Sequence, residues 1–418
     1  MIKIKNEIIK DNLYKCEIEC SKDRESLFSQ RFFWCEYDFN IEEIPKSILN
    51  IPIFILLWQI TIFHNDVLYL DEIDSTLFSQ LEKIKKGYKS LYPKIDLGGE
   101  VIPDKIMNNQ VGEKEFKTAT LFSGGVDSTA TYAFHENEAP LLLAAIGADI
   151  SLDDVVGEKQ LLKDLDCFSK ENNTSYSIVK SNFSEIINDW NVRKKFSKYL
   201  SDSWWRDVQH GLLLISLFAP TCFKKNISRL YIPGSHVFYN NPALGSDPRI
   251  DNFLAWSDTK VWHSLFEMSR QEKIKYIIDW KRKYDLKVNL RVCWEGEGGV
   301  NDCKCEKCCR TITSLIIERE NPEDYGFNMV STKYIIDQFT NRGWVFNTPK
   351  KDIWNDIKEN IKNENYYDYD SYVSFIRDFD FDLYSKKTYG KKKRLELVKK
   401  PLRRLKQHFY LFAKLIRK

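Results

Sequence analysis

The sequence predicts an α/β protein built on a doubly wound, mostly parallel sheet, with an accessory N-terminal α+β domain and a helical C-terminal extension. Two observations predict this class. From about residue 116, short apolar segments alternate with segments of helical periodicity, and a glycine-rich turn follows the first apolar segment. With 418 residues and 43% apolar content, the chain is long enough for two or three domains.

Residues 1–115 predict the accessory domain, because the strand-like segment 67–70 leads into a helical segment that ends near Pro93. The longest nearly apolar run, residues 51–63, has 13 residues, fewer than the roughly 20 that a membrane-spanning helix needs. We therefore expect this run in a buried core. The first residues lack the apolar region of a signal peptide, so we expect a cytoplasmic protein.

Residues 116–320 carry the alternation and form the predicted catalytic domain. The predicted strands are 118–122, 141–149, 175–181, 229–235 and 287–293, and the predicted helices are 128–137, 153–173 and 203–218. Such alternation is typical of parallel strands joined by crossover helices. Ligands of these sheets lie at the carboxyl ends of the strands.

The sequence "ATLFSGGVDSTA" at 119–130 has the layout of a phosphate-binding loop, with a strand, a tight turn and a helix start. Gly124 and Gly125 can adopt positive φ and let backbone N–H groups approach an anion. Ser123 and Ser128 add hydroxyl groups, and the helix directs its positive end to the same point. Because the Walker lysine is missing, the loop is predicted to bind pyrophosphate; an ordinary βα turn is the alternative.

This motif resembles the S-G-G-x-D-S loop of the PP-loop ATP pyrophosphatases, which include GMP synthetase, asparagine synthetase and 7-cyano-7-deazaguanine synthase. The resemblance implies that ATP is cleaved at its α-phosphate, that AMP is attached to a substrate oxygen and that Mg-pyrophosphate leaves. Asp127 is implied to orient the loop or to help bind Mg²⁺, since a carboxylate repels phosphate. Asp127 and Ser123 are the candidate catalytic residues. The matching positions imply nucleotide contacts at Ser123, Gly124, Gly125, Asp127, Ser128 and, more weakly, Gly147.

Five of the ten cysteines lie between residues 293 and 309, and in a cytosolic chain they are expected as thiols or metal ligands. The 7-cyano-7-deazaguanine synthases carry a similar cluster near the end of the catalytic domain. Here Asp302 stands where the second cysteine of that pattern would fall. The cluster predicts a structural zinc site, with disulfides and unliganded thiols as alternatives. The implied ligands are Cys293, Cys303, Cys305 and Cys308, with Cys309 in reserve.

Candidates for contacts to a second substrate lie in the middle of the chain. Residues 204–220 read mainly as a core helix with two polar exceptions, and a turn-rich loop follows the fourth predicted strand. A solvated loop explains most of these residues equally well. The candidates are Arg206, His210, Ser235, His236, Ser246, Asp247 and Asp251.

The chain ends in a helical extension, residues 321–385, and a basic tail, residues 386–418. The tail holds 14 Lys and Arg residues and one Glu, so the preceding residues sum to −10 within a net charge of +3. Its apolar stripe and basic face predict an amphipathic helix. An anionic membrane surface, an RNA backbone and the acidic body of the same protein are the alternative partners.

The resemblance implies an ATP-dependent carbon–nitrogen ligase that forms AMP and pyrophosphate and uses ATP and Mg²⁺, and the cysteine cluster adds Zn²⁺ to the expected cofactors. The expected substrate is a carboxylate on a small molecule or a macromolecule, and the nitrogen comes from ammonia or a partner glutaminase. A sugar amidotransferase and a non-catalytic, zinc-stabilised ATP sensor are the alternatives. The expected location is the cytoplasm, including the inner face of the membrane. The resemblance covers residues 116–320 and leaves the N-terminal domain and the tail without a role.

Overall fold

The computed structural model of the chain describes residues 1–110, 117–235, 243–293 and 296–389. Two compact units divide the chain, residues 1–301 and residues 302–418. Within the described residues the first unit holds one sheet of eleven strands. The strands are β1 (Ile2–Lys10), β2 (Leu13–Cys20), β3 (Phe32–Tyr37), β4 (Val67–Asp74), β5 (Glu100–Met107), β6 (Thr118–Leu121), β7 (Leu141–Ile146), β8 (Tyr176–Ser181), β9 (Arg229–Pro233), β10 (Ala255–Trp256) and β11 (Thr259–Ser264).

Helices connect and cover these strands. Those of the first unit are α1 (Lys46–Leu49), α2 (Ile51–His64), α3 (Ser75–Leu91), α4 (Val126–Phe134), α5 (Val155–Glu171), α6 (Phe183–Ile186), α7 (Asp189–Arg193), α8 (His210–Ser216), α9 (Ala219–Lys225), α10 (Pro248–Asp251) and α11 (Arg270–Tyr284). A π-helical turn, Trp205–Gln209, precedes α8. Those of the second unit are α12 (Glu306–Ile317), α13 (Thr332–Thr340), α14 (Thr348–Glu359), α15 (Asp370–Asp378) and a helical segment at 381–389.

The parallel half of the sheet has the order β11-β9-β6-β7-β8. The chain moves outward from β6 through β7 to β8, and then crosses back to β9 on the other side of β6. Since parallel crossovers are right-handed in nearly all proteins, this reversal places helices on both faces of the sheet. The gap between β6 and β9 is therefore a switch point, where sheets of this class bind ligands.

The strands of the N-terminal residues join this same sheet, which the sequence did not predict. β3 pairs antiparallel with β8, and the order continues through β2, β1, β4 and β5. Side chains support this seam, because Ser181 Oγ donates to the Trp34 carbonyl at 2.6 Å and Asn182 Nδ2 donates to the Phe32 carbonyl at 2.8 Å. The sheet as a whole is mostly parallel. The predicted domain boundaries at 115, 320 and 385 stay predictions.

The apolar run at 51–63 forms most of α2, and every one of these residues is buried. A helix that is apolar all round needs a buried position, so the prediction of a core segment is confirmed. Gln59, the polar exception, donates from Nε2 to Tyr88 Oη at 2.7 Å and to the Val208 carbonyl at 3.1 Å. Among the helices of the described residues, none has the length and apolar character needed to cross a bilayer.

Four of the five strands predicted for residues 116–320 are confirmed as β6, β7, β8 and β9. The prediction of a strand at 287–293 is wrong, since in the described structure these residues belong to no strand. Val288, Leu290 and Val292 are buried in alternation, as in a strand, but the segment bonds through Arg291 to the turn after β6. The fifth parallel strand is β11, whose exposed Trp262 and Lys260 weaken its apolar signal.

The second unit is built around aromatic side chains. Phe339 in α13 packs against Trp354 in α14 with ring centroids 4.9 Å apart, and Phe379 lies at the same distance. The predictions of helices at 310–320 and within 331–384 are confirmed in α12 through α15. The predicted amphipathic tail lies outside the described residues from residue 390 onward.

Replacing Phe63 by alanine is expected to lower the free energy of unfolding by about 3–5 kcal/mol. Its buried ring contacts Tyr88, Tyr92, Phe196 and Trp204, with centroids 5.0 to 5.8 Å away, so truncation leaves a cavity. Urea denaturation measures the change. The control is Ile106→Ala on edge strand β5, where the side chain is 53% exposed and a loss within about 1 kcal/mol is expected. Equal losses in both variants would contradict this core assignment.

Candidate functional site

The glycine loop occupies the switch point, between the end of β6 and the start of α4. Gly124 has φ +73°, a conformation that side chains disfavour, and Gly125 is the N-cap residue of α4. Because Gly125 has no side chain, it cannot cap the first-turn N–H groups of the helix. Ser128 Oγ closes the turn by accepting from Ser123 N–H at 3.3 Å and donating to the Gly125 carbonyl at 3.1 Å. The loop thus presents a helix N-terminus at the carboxyl edge of the sheet.

Arg291 holds this loop from the segment that sequence reasoning took for a strand. Its backbone N–H donates to the Gly124 carbonyl at 2.8 Å, and its guanidinium donates to the Ser123 carbonyl at 2.8 and 3.1 Å. Burial lowers the pKa of Arg291, while the nearby carboxylates of Asp149 and Asp164 raise it. Arg291 therefore places a positive charge beside the glycine loop.

Asp127, in the first turn of α4, forms ion pairs with two cations from α11. Arg270 Nη1 and Lys273 Nζ each lie 3.2 Å from one of its carboxylate oxygens. Lys273 also donates to the Gly234 carbonyl just after β9, and its side chain is 1% exposed. Burial lowers the pKa of Lys273, and the Asp127 carboxylate opposes that shift. The glycine loop is thus surrounded by the side chains of Arg270, Lys273 and Arg291 and by the N-terminus of α4.

Gly147 lies at the carboxyl end of β7 and has φ +105°. A side chain here would meet the Ser181 carbonyl at 2.0 Å, so only glycine lets β7 and β8 end this close together. Both backbone groups of Gly147 are occupied, the N–H by the Ile150 carbonyl and the carbonyl by Ser184 Oγ. This position shapes the edge of a pocket.

That pocket has a volume of about 240 Å³ and opens at the ends of β7 and β8. Trp205 and Phe183 form an aromatic wall, with ring centroids 5.4 Å apart. Trp204 Nε1 and Gln209 Nε2 are buried and have no hydrogen-bond partner among the described residues. The pocket therefore combines aromatic faces with polar groups that a ligand can satisfy. Its lining consists of Ala148, Asp149, Phe183, Ser184, Ile187, Asp189, Trp204, Trp205 and Gln209.

The predicted substrate residues fall into separate environments. Arg206 pairs with the buried Asp207 at 2.8 Å, and Asp247 accepts from the Arg249 side chain, so both carry local structural contacts. The His210 ring packs edge-on against Trp205 with centroids 5.3 Å apart. Ser235 is exposed after β9. His236 lies outside the described residues.

Ser246 and Asp251 are brought together, and a residue that sequence reasoning missed joins them. Ser246 Oγ donates to Asp251 Oδ2 at 2.8 Å, and His263 Nε2 lies 3.5 Å from the same hydroxyl. His263 Nε2 is 3.9 Å from Asp251 Oδ2. The three side chains form a compact polar cluster, which we call the Ser246–Asp251–His263 cluster.

Four potential metal ligands converge near residue 302. The ligand atoms of Cys293, Asp302, Cys305 and Cys308 all lie within 4.8 Å of one another, and this cluster can hold a metal ion. Backbone N–H groups support the ligand atoms, since Gly296 N–H donates to Cys293 Sγ at 3.0 Å and Cys308 N–H donates to Cys305 Sγ at 3.4 Å. Such donors stabilise thiolates, the form that binds metal.

Asp302 stands in this cluster where the sequence analysis expected Cys303. Cys303 has φ +55° and lies outside the group of converging ligand atoms. The reserve candidate Cys309 directs its thiol to the carbonyls of Cys303 and Lys304, at 3.6 and 3.5 Å, and burial raises its pKa. Asp302 Oδ1 accepts from the N–H groups of Lys304 and Cys305, at 3.0 Å each, which orients its carboxylate.

The sequence analysis missed Arg270, Lys273, Arg291 and His263. One signal for the first two was present, because "SRQEK" at 269–273 reads as a capping box at a helix start. Cations in the first turn of a helix oppose its dipole, so a basic pair there indicates an acidic or phosphate partner. His263 and Arg291 had no comparable local signal.

Comparisons of this chain with models of protein families, with curated proteins and with solved structures find no match.

Metal content tests the cluster ligand by ligand. Replacing Asp302 by asparagine is expected to weaken metal binding more than about tenfold, as is Cys305→Ser, because each removes a converging donor. Cys303→Ser and Cys309→Ser serve as controls and should retain the metal. Binding is measured by competition with a chromogenic chelator. Loss of metal in Cys303→Ser, with retention in Asp302→Asn, would restore the ligand set expected from the sequence.

Proposed function

We propose that this chain is an ATP-dependent ligase of the PP-loop class, which attaches AMP to a substrate carboxylate, releases pyrophosphate and then transfers nitrogen. The observation that carries the proposal is the glycine loop between β6 and α4, at the switch point of the parallel sheet. Its missing lysine separates it from ATP hydrolases that cleave the γ-phosphate.

The charges around the loop support a polyphosphate ligand. Lys273, Arg270 and Arg291 bring three cations to the loop, and the N-terminus of α4 adds a partial positive charge. Pyrophosphate carries the charge that forms as the bond between the α- and β-phosphates breaks, and fixed cations stabilise it. Both oxygens of Asp127 accept from cations, which favours an orienting role over direct contact with phosphate. Mg²⁺ bound with ATP would neutralise further negative charge.

The pocket beside β7 supports a site for the nucleobase. Its aromatic wall of Trp205 and Phe183 suits a planar ring, and Trp204 Nε1 and Gln209 Nε2 can donate to ring nitrogens. Asp149 connects the pocket electrostatically to Arg291, and hence to the loop. The base and the phosphates of one nucleotide would thus lie along neighbouring strand ends.

The reaction needs two steps, the first at the α-phosphate and the second at the carbonyl carbon of the substrate. A carboxylate oxygen attacks phosphorus, and pyrophosphate leaves with the electron pair of the broken bond. The mixed anhydride then reacts at its carbonyl carbon with ammonia, so that a C–N bond forms and AMP leaves. The chain supplies the positioning and the charge stabilisation for the first step through the loop and its three cations.

Zinc is the metal we propose for the cysteine cluster. Zinc binds both Cys thiolates and Asp carboxylates in four-coordinate sites, and the cluster offers three thiolates and one carboxylate. A four-ligand site is closed, so its role is to stabilise the polypeptide around Cys305 and the start of α12.

Product analysis tests the proposed function. With ATP, Mg²⁺, ammonium and a panel of carboxylates, we expect AMP and pyrophosphate in equal amounts, measured by chromatography and a pyrophosphate assay. Formation of ADP and phosphate would overturn the assignment to the PP-loop class. ATP binding without any product across the panel would favour the sensor alternative.

Lys273→Met is expected to lower the rate of AMP formation by about 10²–10³, the usual cost of losing one buried charge-stabilising donor. The matched control is Lys275→Met, because Lys275 lies on the same helix but is exposed. Circular dichroism checks that both variants fold. Equal activity in the two variants would remove Lys273 from the proposed mechanism.

A further inference from the structure

The Ser246–Asp251–His263 cluster lies on the β9 side of the glycine loop. His263 is next to the last residue of β11, and Asp251 ends α10. Contacts lead from the cluster to the loop, since the Ser264 carbonyl accepts from Gly234 N–H at 2.8 Å. The Gly234 carbonyl accepts from Lys273, which pairs with Asp127. The end of β11 is thus linked to the glycine loop through Gly234, Lys273 and Asp127.

Two of the three side chains of the cluster are buried, and their hydrogen-bonding groups are incompletely satisfied. The side chains of Asp251 and His263 are 0% and 2% exposed. Asp251 Oδ1 and His263 Nδ1 are both buried without a hydrogen-bond partner among the described residues. Buried polar atoms that lack partners are costly, so their presence beside a proposed active site indicates a missing ligand.

Gly211 at the start of α8 makes room for the carboxyl group. A Cβ at this position would lie 2.5 and 2.7 Å from the two oxygens of Asp251 and 2.8 Å from Ser246 Cα. The backbone also fixes the approach, because Gly211 N–H donates to the Gly245 carbonyl at 2.7 Å. The buried position of the Asp251 carboxyl group thus depends on the absence of a side chain at Gly211 in α8.

The arrangement does not match a hydrolase triad. In such a triad the carboxylate holds one ring nitrogen of histidine and the serine the other. Here both Ser246 and Asp251 approach Nε2, at 3.5 and 3.9 Å. A nucleophilic role for Ser246 is therefore not supported, and the cluster is better suited to binding a small ligand.

The atoms of the cluster define the ligand's chemistry. A carboxylate oxygen, a neutral imidazole nitrogen and a hydroxyl oxygen all accept hydrogen bonds, so the ligand is a donor. Mg²⁺ and Ca²⁺ prefer several oxygen ligands, and the cluster has one carboxylate. A small monovalent cation with several N–H groups fits these requirements.

We propose that the Ser246–Asp251–His263 cluster binds the ammonium ion that supplies nitrogen to the ligase. This inference rests on the proposed function and names its nitrogen donor as ammonium taken up by the chain itself. Asp251 provides the counter-charge and then accepts one proton from the ion to release ammonia, while a ring nitrogen of neutral His263 accepts a hydrogen bond. The ammonia lone pair attacks the carbonyl carbon of the acyl adenylate, the C–O bond to AMP breaks, and the second proton leaves to water.

The protonation states agree with this role. Burial raises the pKa of Asp251 and lowers that of His263 to about 4, so His263 is neutral near pH 7. The charged or titratable groups that act on His263 are Asp247, Lys273 and His210, and Asp247 also acts on Asp251. A cation bound beside Asp251 favours the charged form of its carboxyl group and so opposes the effect of burial.

An NMR titration of the full-length protein with ¹⁵N-labelled ammonium chloride at constant ionic strength tests the site. We expect a bound ammonium signal that Asp251→Asn weakens at least tenfold in affinity, while Asp38→Asn, an exposed control, leaves it unchanged. Asparagine has the size of a protonated aspartic acid, so the variant is expected to fold. His263→Asn provides a second variant, with the same loss expected.

The outcomes separate this inference from the proposed function. Equal competition by potassium chloride would make the cluster a general monovalent cation site and overturn the assignment to the nitrogen donor. Unchanged ammonium binding in both cluster variants would also overturn it. AMP and pyrophosphate formation without ammonium binding at the cluster would leave the ligase standing and remove its nitrogen site. Ammonium binding without ATP cleavage would leave the cation site standing and remove the ligase assignment.

Discussion

A buried lysine holds the carboxyl edge of the sheet together. Lys273 lies at 1% exposure, and its ammonium group reaches the Asp127 carboxylate on α4 and the Gly234 carbonyl after β9. A buried charge is costly unless it is paired and hydrogen-bonded, so each of these contacts constrains the others. The glycine loop, the end of β9 and the first turn of α11 are positioned by this one group.

The same edge separates two kinds of environment. On the β7 side, aromatic side chains and two unsatisfied donors form an open pocket. On the β9 side, Asp251 and His263 of the Ser246–Asp251–His263 cluster are buried, and the cluster offers acceptors. The π-helical turn at Trp205–Gln209 lies between them, since its residues line the pocket while Gly245, next to Ser246, bonds to the Arg206 carbonyl. Irregular helical turns of this kind often occur at functional sites.

In the cysteine cluster, a difference of one position in the sequence decides which residue joins the group of potential metal ligands. The sequence places Asp302 and Cys303 side by side, and thiolate chemistry favours the cysteine. The structure instead groups Asp302 with three thiols, because its carboxylate is oriented by the N–H groups of Lys304 and Cys305. Which of two adjacent side chains joins a cluster depends on backbone torsion angles. Cys303 has φ +55°, and its thiol is not among the converging ligand atoms.

Local sequence patterns determined the parallel strands β6 to β9, the glycine loop, the buried helix α2 and the presence of a cysteine cluster, because each depends on residues close together in the chain. Only the tertiary structure decided that the N-terminal strands extend the same sheet, that residues 287–293 cross the glycine loop, and that His263 meets Ser246 and Asp251. These features bring together residues that are far apart in sequence, and local patterns of apolar residues do not predict such contacts. Strand edges and buried polar groups find their partners only when the chain has packed.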